Sequence, residues 1–251
     1  MSGQKRLGVY TLGFLRNRPL RRILEVSGWD VVPAWRPQAC DAIGVWGRRP
    51  VSARGLAVAR RTGVPLLNIE DAFLRSVQPG YAGAAPTGLI LDDKGLYFDA
   101  AQPSRLEEML QAGDLSDPAL IARAEAGLAF LRARKLSKYN AWERVDLPAP
   151  GYVLVIDQTR GDASIRLGGA DEGAFAAMLA AARAEHPQKR IVIRTHPEVA
   201  DAQKRGHFGA GDLDAQTELY TARANPWDIL AGAEAVRRAS GCLSSVSPHP
   251  A

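Results

Sequence analysis

Residues 152–164 read YVLVIDQTRGDAS, an unbroken apolar run that passes straight into a loop carrying two carboxylates, an amide and two hydroxyls. The segment beyond that loop decides the fold. "RLGGADEG" (166–173) leads into "DEGAFAAMLAAARAEHP" (171–187), which sets Phe175, Met178, Leu179 and Ala182 at helical spacing, and "RIVIRT" (190–195) is a second short apolar run. Strand, helix and strand in this order form a βαβ unit with parallel strands. Both strands then end on one edge of the sheet, where open α/β sheets bind ligands. Asp157, Gln158, Thr159, Arg160, Gly161, Asp162 and Ser164 should therefore share a rim with Thr195, His196 and Pro197.

The same grammar runs through the first part of the chain. "LGVYTLG" (7–13), "AIGVWG" (42–47) and "VPLLNIED" (64–71) read as buried strands, and "PLRRILEVSG" (19–28) and "SARGLAVARRTG" (52–63) as helices that stop at Gly. Beyond them, "GLILDDKGLYFDA" (88–100) reads as a β-hairpin turning at Asp-Asp-Lys-Gly. Ser116-Asp117-Pro118 announces a helix with Leu120, Ile121, Ala124, Leu128 and Leu131 on one face. The proline-rich "NAWERVDLPAPG" (140–151) marks a boundary, so the expectation is an α/β chain in two domains, residues 1–145 and 146–251.

At 251 residues the chain accommodates two modest cores, and 46% hydrophobic with 7% aromatic content marks a globular protein, not a disordered one. The net charge of +5 is unevenly placed. Residues 1–62 hold 12 Lys/Arg against 3 Asp/Glu, an excess of +9 that leaves −4 for the remainder. That asymmetry suits an anionic partner such as a phospholipid surface or an acidic sugar, or simply an Arg-rich surface. Nucleic acid is disfavoured because the Arg residues lack interleaved aromatics. Cys40 and Cys242 offer no metal-site spacing, which suits a reducing cytoplasm. Neither a signal peptide nor a run of about 18 apolar residues is present, so membrane contact would be peripheral.

Several polar groups invite a functional reading beside a plain one. Glu70 and Asp71 end the third strand of the first domain and so lie at its carboxyl edge, as possible catalytic acids or as turn formers. Arg75 and Ser76, just beyond, suit an anionic substrate. Gly168-Gly169 ahead of a helix suggests an anion seat, although no dinucleotide or P-loop fingerprint is present. His196 is either a core histidine or, with Arg194, a phosphate ligand. The Asp92-Asp93 pair is better explained by its turn than by a metal.

"AIGVWGRRP", "IEDAFLRS", "LILDDKGLYFDA", "LSKYN", "VLVIDQTRGDASI" and "RTHPEV" together resemble the KpsC/LipB capsule polysaccharide biosynthesis family, over residues 7 to 230 or so. The resemblance implies two Rossmann-like domains around a cleft in a GT-B-like arrangement, with an acceptor-side first domain and a CMP-sugar-binding second one. It implies transfer of Kdo from CMP-β-Kdo, with retention, to a lipid-linked Kdo acceptor on a phosphatidylglycerol-type lipid. It further implies a cytoplasmic protein peripheral at the inner membrane, among the capsule assembly machinery. In this family's Gln-Thr-x-x-Asp-x-Ser loop the nucleophile falls on Asp162, and retention by double displacement needs such a carboxylate. The acid/base role falls on Glu70 and Asp71. His196 and Arg194 would bind the CMP phosphate next to Pro197, and Gln158, Thr159 and Ser164 would position the donor. No cofactor or metal is implied, since a cationic side chain can meet the single phosphate of CMP.

Two features depart from the family pattern. Ala72 stands where the family usually has Gly after the acidic pair, which would be strained if that position needs positive φ. The chain then ends in "RRASGCLSSVSPHPA", which shows no strand pattern, so the second domain is expected to be incomplete, with three strands at most. Ser244, Ser245 and Ser247 superficially match the Ser-Ser motif of the related sialyltransferases. The alternative to an active transferase is therefore a truncated, non-catalytic remnant or capsule-assembly subunit that binds anionic lipid.

Overall fold

The computed structural model describes residues 4–239. The chain falls into two compact units, one of residues 1–131 with 136–140, the other of residues 132–135 with 141–251. Each is built on its own sheet.

The first unit contains strands β1 (Lys5–Val9), β2 (Trp29–Pro33), β3 (Ala42–Trp46), β4 (Leu66–Asp71) and β5 (Leu89–Asp92), in the order β2-β1-β3-β4-β5. All pairings are parallel except β4 with β5. Helices α1 (Leu12–Arg16), α2 (Arg18–Val26) and α3 (Ala53–Thr62) connect the parallel strands. Because alternate residues of a strand point to opposite faces, the strands feed two cores. Leu7, Val9 and Ile69 pack with Phe14, Leu20 and Leu24, and Ile43 and Val45 pack with Ala34 and Ala59 on the other side. Each fully buried Leu or Ile contributes on the order of 2 kcal/mol.

The structure corrects three expectations for this unit. β2, "WDVVP", is a strand the pattern hides, since only Val31 of its residues is buried. The segment 7–13 is not one strand: β1 stops at Val9 and Leu12 opens α1. Residues 88–100 do not form a hairpin. β5 pairs back onto β4, with Asp71 opposite Leu89, and the chain then turns toward α4 (Arg105–Ala112). Asp92 explains that turn: it is 3% exposed and accepts from the amides of Lys94, Gly95 and Arg105, while Asp93 pairs with the Arg105 guanidinium. The helix after Ser116 does form, as α5 (Pro118–Ala133), but none of its residues is buried, and Leu120, Ile121 and Leu128 stay between 42% and 50% exposed.

The second unit contains β6 (Tyr152–Ile156), α6 (Ala163–Leu167), α7 (Glu172–Glu185), β7 (Ile191–Arg194), α8 (Pro197–Ala200), β8 (Thr217–Tyr220), α9 (Pro226–Ala231) and β9 (Ala233–Arg238). Its sheet is wholly parallel, in the order β8-β7-β6-β9. The expected face of α7 is buried: Phe175, Met178, Leu179 and Ala182 pack on Val153, Val155, Ile191 and Ile193. Tyr152, Leu154 and Val192 face the other way, onto Ala224 and Ile229. The sheet has four described strands where at most three were expected. β9 is "AEAVRR", which lacks a clear apolar run, yet Ala235 and Val236 pair with Val153 and Leu154 of β6 as the outer strand of the described sheet. Small side chains suffice there, and Arg237 is neutralised by Glu185 of α7. Ser244, Ser245 and Ser247 lie outside the described residues. Among the described residues, no helix is long and apolar enough to cross a membrane.

Candidate functional site

In the second unit the connections run from β6 to β7 to β8 on one side, while β9 joins β6 on the other. The order therefore reverses between β6 and β9, and the carboxyl end of β6 stands at the point where open parallel sheets leave a crevice. The loop 157–162 occupies that end.

Its two carboxylates are held very differently. Asp157 is 2% exposed, and its Oδ1 accepts from the amides of Gln158 (2.8 Å) and His207 (3.0 Å). Its Oδ2 is buried without a hydrogen-bond partner, and burial raises its pKa despite the amides that lower it. A Cβ on Gly206 would collide with Oδ2, so only glycine permits this approach. The segment 205–207 is further tied down by Arg160, whose amide donates to the Arg205 carbonyl and whose Nε donates to the Gly206 carbonyl. Thr159, 1% exposed, bridges to Gly206. Asp157 is thus a fastener for the loop.

Asp162, in contrast, is exposed. It is the N-cap of α6, and its Oδ1 accepts from the Ser164 amide at 2.8 Å. Among the described residues its Oδ2 has no hydrogen-bond partner, so one oxygen is tethered and the other is not. Ser164 is buried behind it, and Gln158 lies partly buried at the start of the loop.

The glycine pair is not an anion seat. Gly168 closes α6, and the N-terminus of α7 is already capped by the Asp171 carboxylate, which accepts from the Ala174 amide. A resident negative charge at those amides repels an anion. His196 ends the β7 loop as the N-cap of α8, with Pro197 in the first turn. Its Nδ1 accepts from the Glu198 amide at 3.2 Å, which leaves the ring proton on Nε2. Arg194 turns toward the Ala224 side of the sheet: Nη2 donates to the Ala224 carbonyl at 3.1 Å and the guanidinium lies 5.9 Å from the Trp142 ring centre. Burial lowers its pKa to about 10, and only tyrosines act against that shift. No carboxylate pairs with it among the described residues.

In the first unit, Glu70 and Asp71 end β4. The Glu70 carboxylate lies against Gly47, where a Cβ would collide with Oε1, and its Oε2 accepts from the Asp71 amide at 3.3 Å. Burial raises its pKa, the Asp71 amide opposes the rise and the Asp71 charge adds to it. Asp71 instead forms an ion pair with Arg75 Nε at 2.9 Å, with the two side chains 14% and 10% exposed. Arg75 also donates to Ser76 Oγ and to the Ala84 carbonyl, both at 2.8 Å, and Ser76 donates to the Gln78 carbonyl. Arg75 and Ser76 are therefore committed to the loop's own structure rather than presented to an anionic substrate. Ala72 does not take positive φ, so the strain anticipated from replacing Gly is absent.

Sequence reasoning missed Gly47, Trp142, Gly206 and His207, which make close contact with the charged groups but carry no motif. His207 stacks on Phe175 with ring centres 3.6 Å apart, and burial holds it below the usual histidine pKa. Among the described residues, no group of three or more His, Cys, Asp or Glu is placed to hold a metal ion.

The sequence model of the capsule polysaccharide biosynthesis protein family matches residues 41–149 and 144–224. Capsule polysaccharide modification protein LipA of Neisseria meningitidis serogroup B is 32% identical over 246 residues, 94% of this chain and 35% of LipA. Lipopolysaccharide-processing protein LpsZ of Rhizobium meliloti is 33% identical over 180 residues, 69% of this chain and 40% of LpsZ. The chain thus spans 35% to 40% of the length of these curated relatives. Among solved structures, the β-Kdo 2,4-transferase of Thermosulfurimonas dismutans KpsC superposes with a TM-score of 0.84 at 35% identity, covering 93% of this chain and 73% of that one. The β-Kdo 2,7-transferase of the same KpsC gives a TM-score of 0.61 at 24% identity, over 93% of this chain and 72% of that one, a likeness of fold alone. With the family model matching more than half of its length, the chain belongs to the capsule polysaccharide biosynthesis protein family.

Proposed function

We propose that the chain is a glycosyltransferase that moves Kdo from CMP-β-Kdo to a lipid-linked Kdo acceptor, with retention of configuration, in the assembly of a capsule. The observation that carries this reading is the likeness to a β-Kdo 2,4-transferase over 93% of the chain at 35% identity. The state of the carboxylates supports it. Asp162, with one oxygen tethered and one open, attacks the anomeric carbon as CMP departs, forming a glycosyl-enzyme ester. The acceptor hydroxyl then displaces Asp162 while a base takes its proton. Glu70 suits that base better than Asp71, because its pKa is raised while Asp71 is occupied by Arg75. Arg194, a cation with no carboxylate partner among the described residues, offers its charge to the donor's anionic groups, and His196 is assigned to the side of the leaving phosphate.

The lipid on which the acceptor is built, phosphatidylglycerol in this reading, would hold the protein at the cytoplasmic face of the inner membrane, with the basic excess of residues 1–62 toward anionic headgroups. The test supplies the purified chain with CMP-Kdo, with and without a lipid-linked Kdo acceptor. Transfer with acceptor, and a Kdo ester on the Asp162 peptide without it, are expected. Absence of both product and adduct, under conditions where a KpsC transferase is active, rejects the reading.

A further inference from the structure

The first unit has a switch point of its own. β1 connects to β2 on one side of the sheet, while β3 connects through α3 to β4 on the other, so the order reverses between β1 and β3. At the carboxyl ends of β1 and β2 lies a cavity of about 540 Å³, separate from Glu70, Asp71 and Arg75. Its size is that of a small-molecule site, and its place is where the topology of an open sheet predicts one.

The lining has a definite chemistry. One wall is a stripe of α3, where Arg54, Val58 and Arg61 recur at the spacing of one helix face. Both arginines are exposed, and neither forms an ion pair among the described residues. Arg54 is instead held over the Tyr10 ring, with its guanidinium carbon 4.9 Å from the centroid. No Asp or Glu lines the cavity. Trp35, just past β2, also lines it and is 89% exposed, so its ring is accessible at the mouth of the cavity. Two fork-shaped cations without counter-charges select a carboxylate or phosphate. A flat aromatic at the mouth, with Val, Ala and Pro behind it, selects the apolar face of a sugar ring rather than a bare ion.

We propose that this cavity binds a carboxylate-bearing sugar of the acceptor glycan, its acid group between Arg54 and Arg61 and its ring against Trp35. The proposal rests on the glycosyl-transfer reading for the identity of the sugar, but the site is physically separate from the residues given chemical roles there.

The test measures affinity of the full chain for the methyl β-glycoside of Kdo and for the same glycoside with its carboxyl esterified, by NMR titration. Arg54→Gln combined with Arg61→Gln should weaken binding of the acid at least about tenfold, as loss of charge-assisted hydrogen bonds does. The ester should bind the unaltered protein no better than the acid binds the double variant. Trp35→Ala should weaken acid and ester by similar factors. CMP affinity, which reports the second unit, should stay unchanged throughout. Equal binding of the acid to all variants overturns the proposal. So does a double variant that keeps the glycoside and loses only phosphatidylglycerol vesicles, since the cavity would then serve a headgroup. If the double variant does not fold, the ester comparison on the unaltered protein still decides. Glycoside binding here without turnover of CMP-Kdo defeats the transfer reading and leaves the site standing; turnover with acceptor KM unmoved by the variants does the reverse.

Discussion

The loops that follow β4 and β6 solve the same problem in different units. Each begins where a parallel strand delivers a carboxylate to the sheet's edge, and each presses that carboxylate against a glycine: Glu70 on Gly47, Asp157 on Gly206. Each has a second carboxylate further along. In the first loop the second one, Asp71, is locked by Arg75, and the partly buried Glu70 is left with a raised pKa. In the second loop the roles reverse: buried Asp157 is taken up by backbone amides, and Asp162 keeps an oxygen open. Availability for chemistry is therefore decided by burial as well as bonding: Asp157 and Asp162 each keep one oxygen unbonded, but that of Asp157 is buried against Gly206 while Asp162 is exposed.

The sharpest way to break this comparison is Asp162→Asn. Asparagine caps a helix as well as aspartate does, so α6 and the melting temperature should be nearly unchanged, while Kdo transfer falls at least about a thousandfold through loss of the nucleophile. Activity within tenfold of the unaltered chain would remove Asp162 from its role. Next in size is Asp71→Ala, which strands the nearly buried Arg75 without its counter-charge. Chemical denaturation should report a loss of about 3 kcal/mol. A neutral result would mean that Arg75 holds its loop through Ser76 and Ala84 alone.

The elements that sequence made legible are those with the strongest apolar signal. β3, β4, β6 and β7 lie close to their expected bounds because short continuous apolar runs suit strands buried on both faces, and α7 because its apolar residues recur at helical spacing. β2 and β9 were hidden for related reasons. Both are outer strands of the described sheets: β2 buries one residue, and β9 is built from alanines and arginines, with Arg237 paired to Glu185 of α7. For the site, residue types placed Asp162, His196 and the acidic pair at strand ends. They said nothing of Gly47, Gly206 or the Arg75 network, because a collision avoided or a charge neutralised is a property of neighbours remote in sequence.

Asp157→Ala tests the structural half of the second loop. It removes the acceptor for two partly buried amides, Gln158 and His207, and should lower stability by about 2 kcal/mol in urea unfolding. Asp157→Asn keeps an acceptor oxygen and should lose much less. Hydrogen exchange at the His207 amide gives the local reading: protection should collapse in the alanine variant and persist in the asparagine one. If both variants are equally unstable, the charge itself matters, and Asp157 is more than a fastener.

The smallest effect is also the most direct reading of Glu70. Burial raises its folded-state pKa above the unfolded value, which is near 4.3. Below about pH 4 the side chain is neutral in both states and Glu70 costs nothing. As pH rises through the folded pKa, the unfolded chain ionises more readily than the native one, so stability should decline. Glu70→Gln lacks that ionisation. Its stability should match the unaltered chain near pH 4 and exceed it increasingly toward neutral pH. Asp157 has a raised pKa as well, so the comparison is made between variants at each pH and not on one curve. Parallel unfolding energies for Glu70→Gln and the unaltered chain from pH 4 to 8 would show Glu70 to be an ordinary carboxylate. The asymmetry between Glu70 and Asp71 that assigns the acid/base role would then have no physical basis.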